Sequence, residues 1–206
     1  VTVDLVFPAS GTSVPTDHAY HLYAALSHVV PKFHDAAARL RFAPITGVAV
    51  PEGRLELGAH SQLTVRLPDD AVKFALPLAG KRLQIGDGWV RLGVPAVRTL
   101  VPAPALVARI VTFKNADTPE QFLATARAKL VELGVSGEPQ LPIHVDGPRA
   151  GEPKRRVVRV KGATITGYAL LVSELSAADS LKLQEAGLGG RTSVGCGFFT
   201  AAKGGR

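Results

Sequence analysis

Six histidines occur in the 206-residue chain, and five of them, His18, His21, His28, His34 and His60, fall before residue 61. Histidine is the usual side chain for moving protons near neutral pH, because its unperturbed titration lies there. A helical metal site needs two histidines four residues apart or a carboxylate companion, and His18, His21 and His28 lack that spacing. Proton transfer, without a metal, is therefore the chemistry these residues offer. Cys196 is the only cysteine, so neither a thiolate zinc site nor a disulfide framework is expected. "GLGGRT" lacks the third glycine of a dinucleotide fingerprint and follows a helix, and "AGKRL" lacks the parts of a Walker loop. No cofactor is expected.

Two other stretches fit an anionic ligand. "GLGGRTSVGCGFF", residues 187–199, holds five glycines. Glycine costs about 1 kcal/mol against alanine in a helix interior and gives a strand little to pack. A helix cap and tight turn account for one or two of them. The backbone N–H groups of such a loop can line a concavity for phosphate oxygens. That makes Gly187, Gly189, Gly190, Arg191, Thr192, Ser193, Gly195 and Gly197 candidate contacts. "GPRAGEPKRRVVRVKG" carries six bases, Arg149, Lys154, Arg155, Arg156, Arg159 and Lys161, against one acid. On a strand, Arg155, Val157, Arg159 and Lys161 share one face, and Arg156, Val158 and Val160 take the other. Such a basic hairpin can contact the phosphates of a nucleic-acid stem; the alternative is an edge strand protected by its charges. The formal charge of +7 and sequence pI near 9.9 agree with an anionic partner, nucleic acid ahead of an anionic membrane surface.

The elements that must position these residues fall into two similar halves. "VTVDLVF" alternates as a half-buried strand, and "PASGTSVPT" reads as a loop with Thr16 or Asp17 placed to cap a helix. Leu22, Leu26, Val29, Val30 and Phe33 recur at helical spacing from Ala19, and Pro31 ends or kinks that helix. "RLRFAPITGV", "RLELGAH" and "SQLTVRLP" read as strands, the last two as a possible hairpin, and "DDAVKFALPLAG" as a short helix. "KRLQIGDGWVRLG" gives two strands about a Gly-Asp-Gly turn. The pattern lapses between Pro95 and Pro104 and then restarts: the strand "ALVARIVTFKN", then a helix capped by Thr118, opened by Pro119 and closed by Gly134. A Pro/Gly-rich loop leads to the strands "KRRVVRVKG" and "ATITGYALLVSEL", a helix capped by Ser176, and a last strand in "SVGCGFFTA". Each half reads as βαββαβ. The expectation is an α+β chain of two tandem ferredoxin-like domains, residues 1–100 and 101–206. No apolar run reaches the ~18 residues of a membrane span, so a cytoplasmic protein without membrane partners is expected.

The C-terminal "LQEAGLGGRTSVGCGFF" resembles the glycine-rich loop of the RAMP superfamily of CRISPR-associated proteins. There a helix leads into alternating glycines and an aromatic or apolar strand. "VPTDHAYHLYAALSHVVPKFHD" resembles the first helix of its repeat-processing endoribonucleases, the CRISPR-associated protein six family. Tandem ferredoxin-like domains are that family's architecture. The resemblance implies cleavage of the CRISPR transcript within its repeat stem-loop, without metal. The 2′-hydroxyl attacks the adjacent phosphate, leaving a 2′,3′-cyclic phosphate and a 5′-hydroxyl. Carried over by position, His34 in "KFHD" is the candidate general acid/base, with His18 and His28 in reserve. Ser27 stands roughly where many members have a tyrosine, and Arg39 or Arg41 stands where they have a lysine. Arginine can only stabilise charge there. The glycine loop would face the cleft of the histidine-bearing helix. The alternative is a non-catalytic RAMP subunit that holds guide RNA with other subunits of a CRISPR complex. A monomer or a homodimer fits either reading.

Overall fold

A computed structural model describes residues 1–35 and 39–202. The chain divides into two compact units: Val1–Leu100 with Ser193–Gly195, and Val101–Thr192 with the chain from Cys196 onward.

The first unit runs β1 (Thr2–Gly11), β2 (Ser13–Pro15), α1 (Ala19–Val29), a 3₁₀ turn (Pro31–His34), β3 (Arg41–Ala43), β4 (Val48–Val50) and β5 (Arg54–Glu56). It continues with β6 (Gln62–Pro68), α2 (Val72–Ala75) between two 3₁₀ turns, β7 (Arg82–Ile85), β8 (Gly88–Leu92) and β9 (Ala96–Thr99). The main sheet has the order β3-β6-β1-β8-β7, with β9 also on β1, and β2-β5-β4 form a separate small sheet. Leu22 and Leu26 of α1 pack with Leu5, Phe7, Phe42, Leu63 and Val65 into one buried core. The period of 3.6 in α1 meets the period of 2 in β1 and β6, which is why the apolar positions of each converge.

The second unit follows the same plan: β10 (Leu106–Val111), α3 (Pro119–Leu133), β11 (Glu138–Gln140), β12 (Arg155–Val160), β13 (Ala163–Ser173), α4 (Ala177–Ala186) and β14 (Phe199–Ala201). Its sheet order is β11-β13-β10-β14, with β12 on β13. Thr118 and Gln121 form a reciprocal capping box at the start of α3, and Gly134 ends it in a left-handed conformation with φ 65°. Ser176 caps α4 through the Asp179 N–H. The fold is α+β with two tandem ferredoxin-like domains.

Five local expectations are corrected. The stretch read as a loop after Phe7 stays extended. Residues Thr2–Pro8 of β1 pair with β6, and Ala9–Gly11 turn onto β8. "RLELGAH" and "SQLTVRLP" do not pair with each other, because β5 joins β2 and β4 while β6 joins β1 and β3. The lapse after Pro95 contains β9, which pairs with β1. His18, in place of Thr16 or Asp17, holds the N-cap position of α1, and it makes no side-chain cap bond. The last strand starts at Phe199, since Gly195 and Gly197 take φ of 79° and 67°. A Cβ on Gly197 would run into the Leu188 carbonyl oxygen, while its N–H donates to the Ile110 carbonyl at 2.8 Å.

Asp4 and Arg66 face each other across β1 and β6. Arg66 Nε donates to Asp4 Oδ1 at 2.7 Å and its Nη2 to Oδ2 at 2.9 Å, with the arginine side chain only 3% exposed. Removing Asp4 takes two charge-assisted hydrogen bonds away from a nearly buried guanidinium. Asp4→Ala should therefore cost about 3–5 kcal/mol, read from urea unfolding; a loss near zero would show that Arg66 finds water or another acceptor.

Candidate functional site

Helix α1 ends where the sequence places its break. Val30 follows the helix with φ −128°, and Pro31 opens a 3₁₀ turn that carries Lys32, Phe33 and His34. Phe33 is buried and stacks edge-on to Phe42, their ring centroids 6.3 Å apart, which pins the turn to the core. His34, the next residue, stays exposed. Its Nδ1 lies 2.9 Å from the Tyr23 hydroxyl, and the rings meet edge to face at 5.5 Å. Tyr23 is half-buried and packs against the core of the first unit. A tyrosine hydroxyl that fixes Nδ1 orients the imidazole and leaves Nε2, which has no partner among the described residues, to exchange a proton with a bound group.

The same turn supplies one wall of a cavity of about 620 Å³, lined by Lys32, Asp35, Arg39, Asp70, Lys73 and Phe74 among others. Lys32 and Lys73 stand 5.5 Å and 5.3 Å from the Phe74 ring centroid, and Lys32 also pairs with Asp35 at 3.2 Å. Three cations against two carboxylates, Asp35 and Asp70, leave the concavity a positive surplus beside an exposed aromatic ring, which suits a phosphate and a base. Arg39, one of the two arginines expected to supply positive charge, lies here. Arg41 does not line this cavity. It sits on β3 opposite Arg66, half-buried, and burial, reinforced by the charges of Arg66 and Arg39, lowers its pKa from the usual arginine value.

Two of the candidate residues are placed where proton transfer to a ligand is closed to them. His18 is 1% exposed. Its Nδ1 donates to the Pro15 carbonyl at 2.9 Å, and its Nε2 accepts from the Ile45 N–H at 3.0 Å. A carbonyl can only accept and an N–H can only donate, so the ring is fixed as a neutral clamp between the approach to α1 and the chain after β3. Ser27 is buried on the core side of α1 with its hydroxyl unpaired. The tyrosine that reaches the histidine is Tyr23, one helical turn earlier. The signal lies in "HLYAALS": positions four apart share a helix face, so Tyr23 stands on the face of Ser27. His28 lies exposed on α1.

In the second unit, β12 and β13 form the expected hairpin, Arg155–Val160 pairing with Tyr168–Ala163 about a Lys161-Gly162 turn. Arg155, Val157 and Arg159 are exposed, Val158 is buried, and Arg156 is half-buried with its Nε unpaired. Arg149 and Lys161 are exposed and Lys154 is half-buried. The glycine-rich loop is docked onto β10: the Gly190 N–H donates to the Thr112 carbonyl at 2.9 Å, and the Thr112 hydroxyl donates to the Gly190 carbonyl at 3.0 Å. Gly187, Gly195 and Gly197 are buried and left-handed. Their bareness therefore serves the path of the chain, and the exposed part narrows to Gly189, Gly190 and Arg191, with Thr192 half-buried and Ser193 exposed beyond. Gly189, Gly190 and Arg191 line a cavity of about 670 Å³ with Thr112, Phe113, Lys114 and Lys129. Lys114 and Lys129 were not legible as site residues, because nothing in sequence brings them to residue 190. Among the described residues no group of three or more His, Cys, Asp or Glu side chains could hold a metal ion. No helix among them is long and apolar enough to cross a membrane.

Tandem ferredoxin-like units, a basic hairpin and a helix running into a glycine-rich loop are the features in which the chain resembles RAMP-type CRISPR-associated proteins. A family model described as Cas6 Crispr matches residues 3–204, and the chain belongs to that family. It is 40% identical over 199 residues to the CRISPR-associated endonuclease Cas6 of Myxococcus xanthus (strain DK1622), covering 97% of this chain and 81% of that protein. Among solved structures, a Cas6-related gene product from Pyrococcus furiosus shares the fold with a TM-score of 0.69 at 14% identity, over 98% of this chain and 99% of that one. A RAMP protein described as binding different RNA substrates shares it with a TM-score of 0.66 at 13% identity and the same coverage.

Replacing Tyr23 by phenylalanine keeps the ring packing and removes only the bond to Nδ1. In ¹⁵N-resolved spectra of Tyr23→Phe, the His34 ring signals should move toward an averaged mixture of tautomers. Unchanged ring signals would show that the 2.9 Å contact does not set the tautomer in solution.

Proposed function

We propose that this chain is an endoribonuclease that cuts CRISPR precursor transcript within its repeats, using no metal and leaving 2′,3′-cyclic phosphate and 5′-hydroxyl ends. The observation that carries the reading is the contact between Tyr23 and His34, on the turn that also walls a cavity lined by three cations and two carboxylates. Membership of the Cas6 family and 40% identity to a named Cas6 endonuclease support it.

In this reading the substrate brings its own nucleophile, a 2′-hydroxyl, so the protein must move two protons and stabilise the charge that gathers on the phosphorane. His34 exchanges a proton through Nε2, and Tyr23 positions it. Lys32, Lys73 and Arg39 supply positive charge beside it. The exposed Arg155 and Arg159 of the β12–β13 hairpin hold the phosphates of the repeat stem. Gly189, Gly190 and Arg191, with Lys114 and Lys129, form a further backbone contact.

The test is incubation with end-labelled repeat hairpin RNA in EDTA. Site-specific cutting with a cyclic-phosphate end is expected, and His34→Ala should lower the single-turnover rate by ~10²-fold or more while leaving binding intact. Tight binding without cutting would instead favour a non-catalytic guide-holding subunit. Cutting at the wild-type rate by His34→Ala would remove His34 from the site.

Arg155→Glu with Arg159→Glu should weaken binding of the same RNA and reduce the slope of log affinity against log salt by about 1 or more, as fewer counterions are released. An unchanged slope would take the hairpin out of the interface.

A further inference from the structure

The chain has one tryptophan, Trp89, and it is not in the core. It sits on β8 with 43% of its surface exposed. The Arg82 guanidinium lies 4.6 Å from its ring centroid. Arg82 on β7 is directly opposite Arg91 on β8, although like charges facing each other across two strands are destabilising. Both arginines are exposed, and neither forms an ion pair among the described residues. Gln84 stands opposite Trp89 on the same hairpin and Ser10 opposite Arg91 on β1, both exposed. Ser10, Gly11, Thr12, Arg82, Trp89 and Arg91 line a cavity of about 410 Å³.

The hairpin that carries this surface is tied to its neighbours. Arg54 donates to Ser13 of β2 through Nε and Nη2, at 3.2 Å and 2.8 Å. It also pairs with Asp87 in the β7–β8 turn, a bond that holds the Asp87 carboxyl below the usual carboxylate range. A Cβ on Gly11 would strike the Trp89 carbonyl oxygen, and one on Gly88 would strike that of Ser13, so both glycines admit close backbone packing at the platform.

We propose that Trp89, Arg82 and Arg91 form a platform for unpaired RNA, on which one nucleobase stacks while the arginines hold its phosphates. A flat indole capped by a guanidinium offers two π-faced surfaces to a base, and the uncompensated arginine pair offers charge for the backbone. Gln84 supplies donors and an acceptor for a base edge. The inference rests on the proposal that the chain acts on RNA, and assigns this face to a single-stranded stretch of that substrate outside the segment held near His34. Neither that turn nor its cavity contributes a residue to it.

As Trp89 is the only tryptophan, its fluorescence reads the platform directly. Titration of the full chain with an unstructured eight-nucleotide oligoadenylate should quench it in a saturable, salt-sensitive way. Arg82→Gln with Arg91→Gln, which keeps the fluorophore, should weaken the quenching titration by ~10-fold, and Trp89→Ala should weaken oligomer binding by ~10-fold in anisotropy. Absence of quenching at saturation, equal quenching by an eight-base-pair duplex, or wild-type binding by both variants would overturn the proposal. Quenching in a protein that cuts no repeat RNA would leave the platform standing and sink the nuclease reading; cutting without quenching would do the reverse.

Discussion

Tyr23 and His34 can meet only because α1 stops at Val29. Eleven residues of uninterrupted helix would carry them about 16 Å apart along its axis, at 1.5 Å per residue. Pro31 forbids that continuation, since it has no N–H to give and its ring crowds the preceding turn. The 3₁₀ turn that replaces it is anchored by the buried Phe33, so the histidine after Phe33 is returned to the helix it has just left. The candidate site is thus set by one proline and one phenylalanine as much as by the residues that would do chemistry.

Around that turn, the first unit devotes buried and half-buried polar groups to fixing backbone. His18 ties Pro15 to Ile45, and Arg54 ties β2, β5 and the β7–β8 turn. Asp4 and Arg66 bond within the sheet. Arg41, Arg66, Asp4 and Arg98 face one another in register across β3, β6, β1 and β9, one acid among three bases. The second unit reaches the same strand order with cleaner signals, its helices opened by capping side chains and its hairpin closed by a Lys-Gly turn.

Where local chemistry decides an element, the sequence was sufficient. Thr118-Pro119, Ser176, Gly134 and the Gly-Asp-Gly turn each act through their immediate neighbours, and the corresponding elements stand where they were expected. Pairing between distant strands was not legible. β9 carries no alternation because all four of its residues are exposed, and β1 changes partner midway along a stretch read half as strand and half as loop. The same division runs through the site. His34 follows a helix end that the proline makes predictable, whereas its contact with Tyr23, and the cavity positions of Lys73, Phe74, Lys114 and Lys129, depend on tertiary structure. The glycine-rich loop suggests a backbone left bare for a ligand. Most of its glycines are bare for the sake of the chain, with Gly189, Gly190, Arg191 and Ser193 left exposed.

The central claim is that His34, held by Tyr23, meets the scissile phosphate. A crystal structure of the protein with repeat RNA carrying a 2′-deoxy residue at the cleavage position, which binds but cannot react, tests it most directly. The His34 Nε2 is expected within about 3.5 Å of the phosphate's bridging 5′ oxygen or of the position of the missing 2′-hydroxyl, directly or through one water. A scissile phosphate bound elsewhere, with the Tyr23–His34 pair facing bulk solvent, would contradict it.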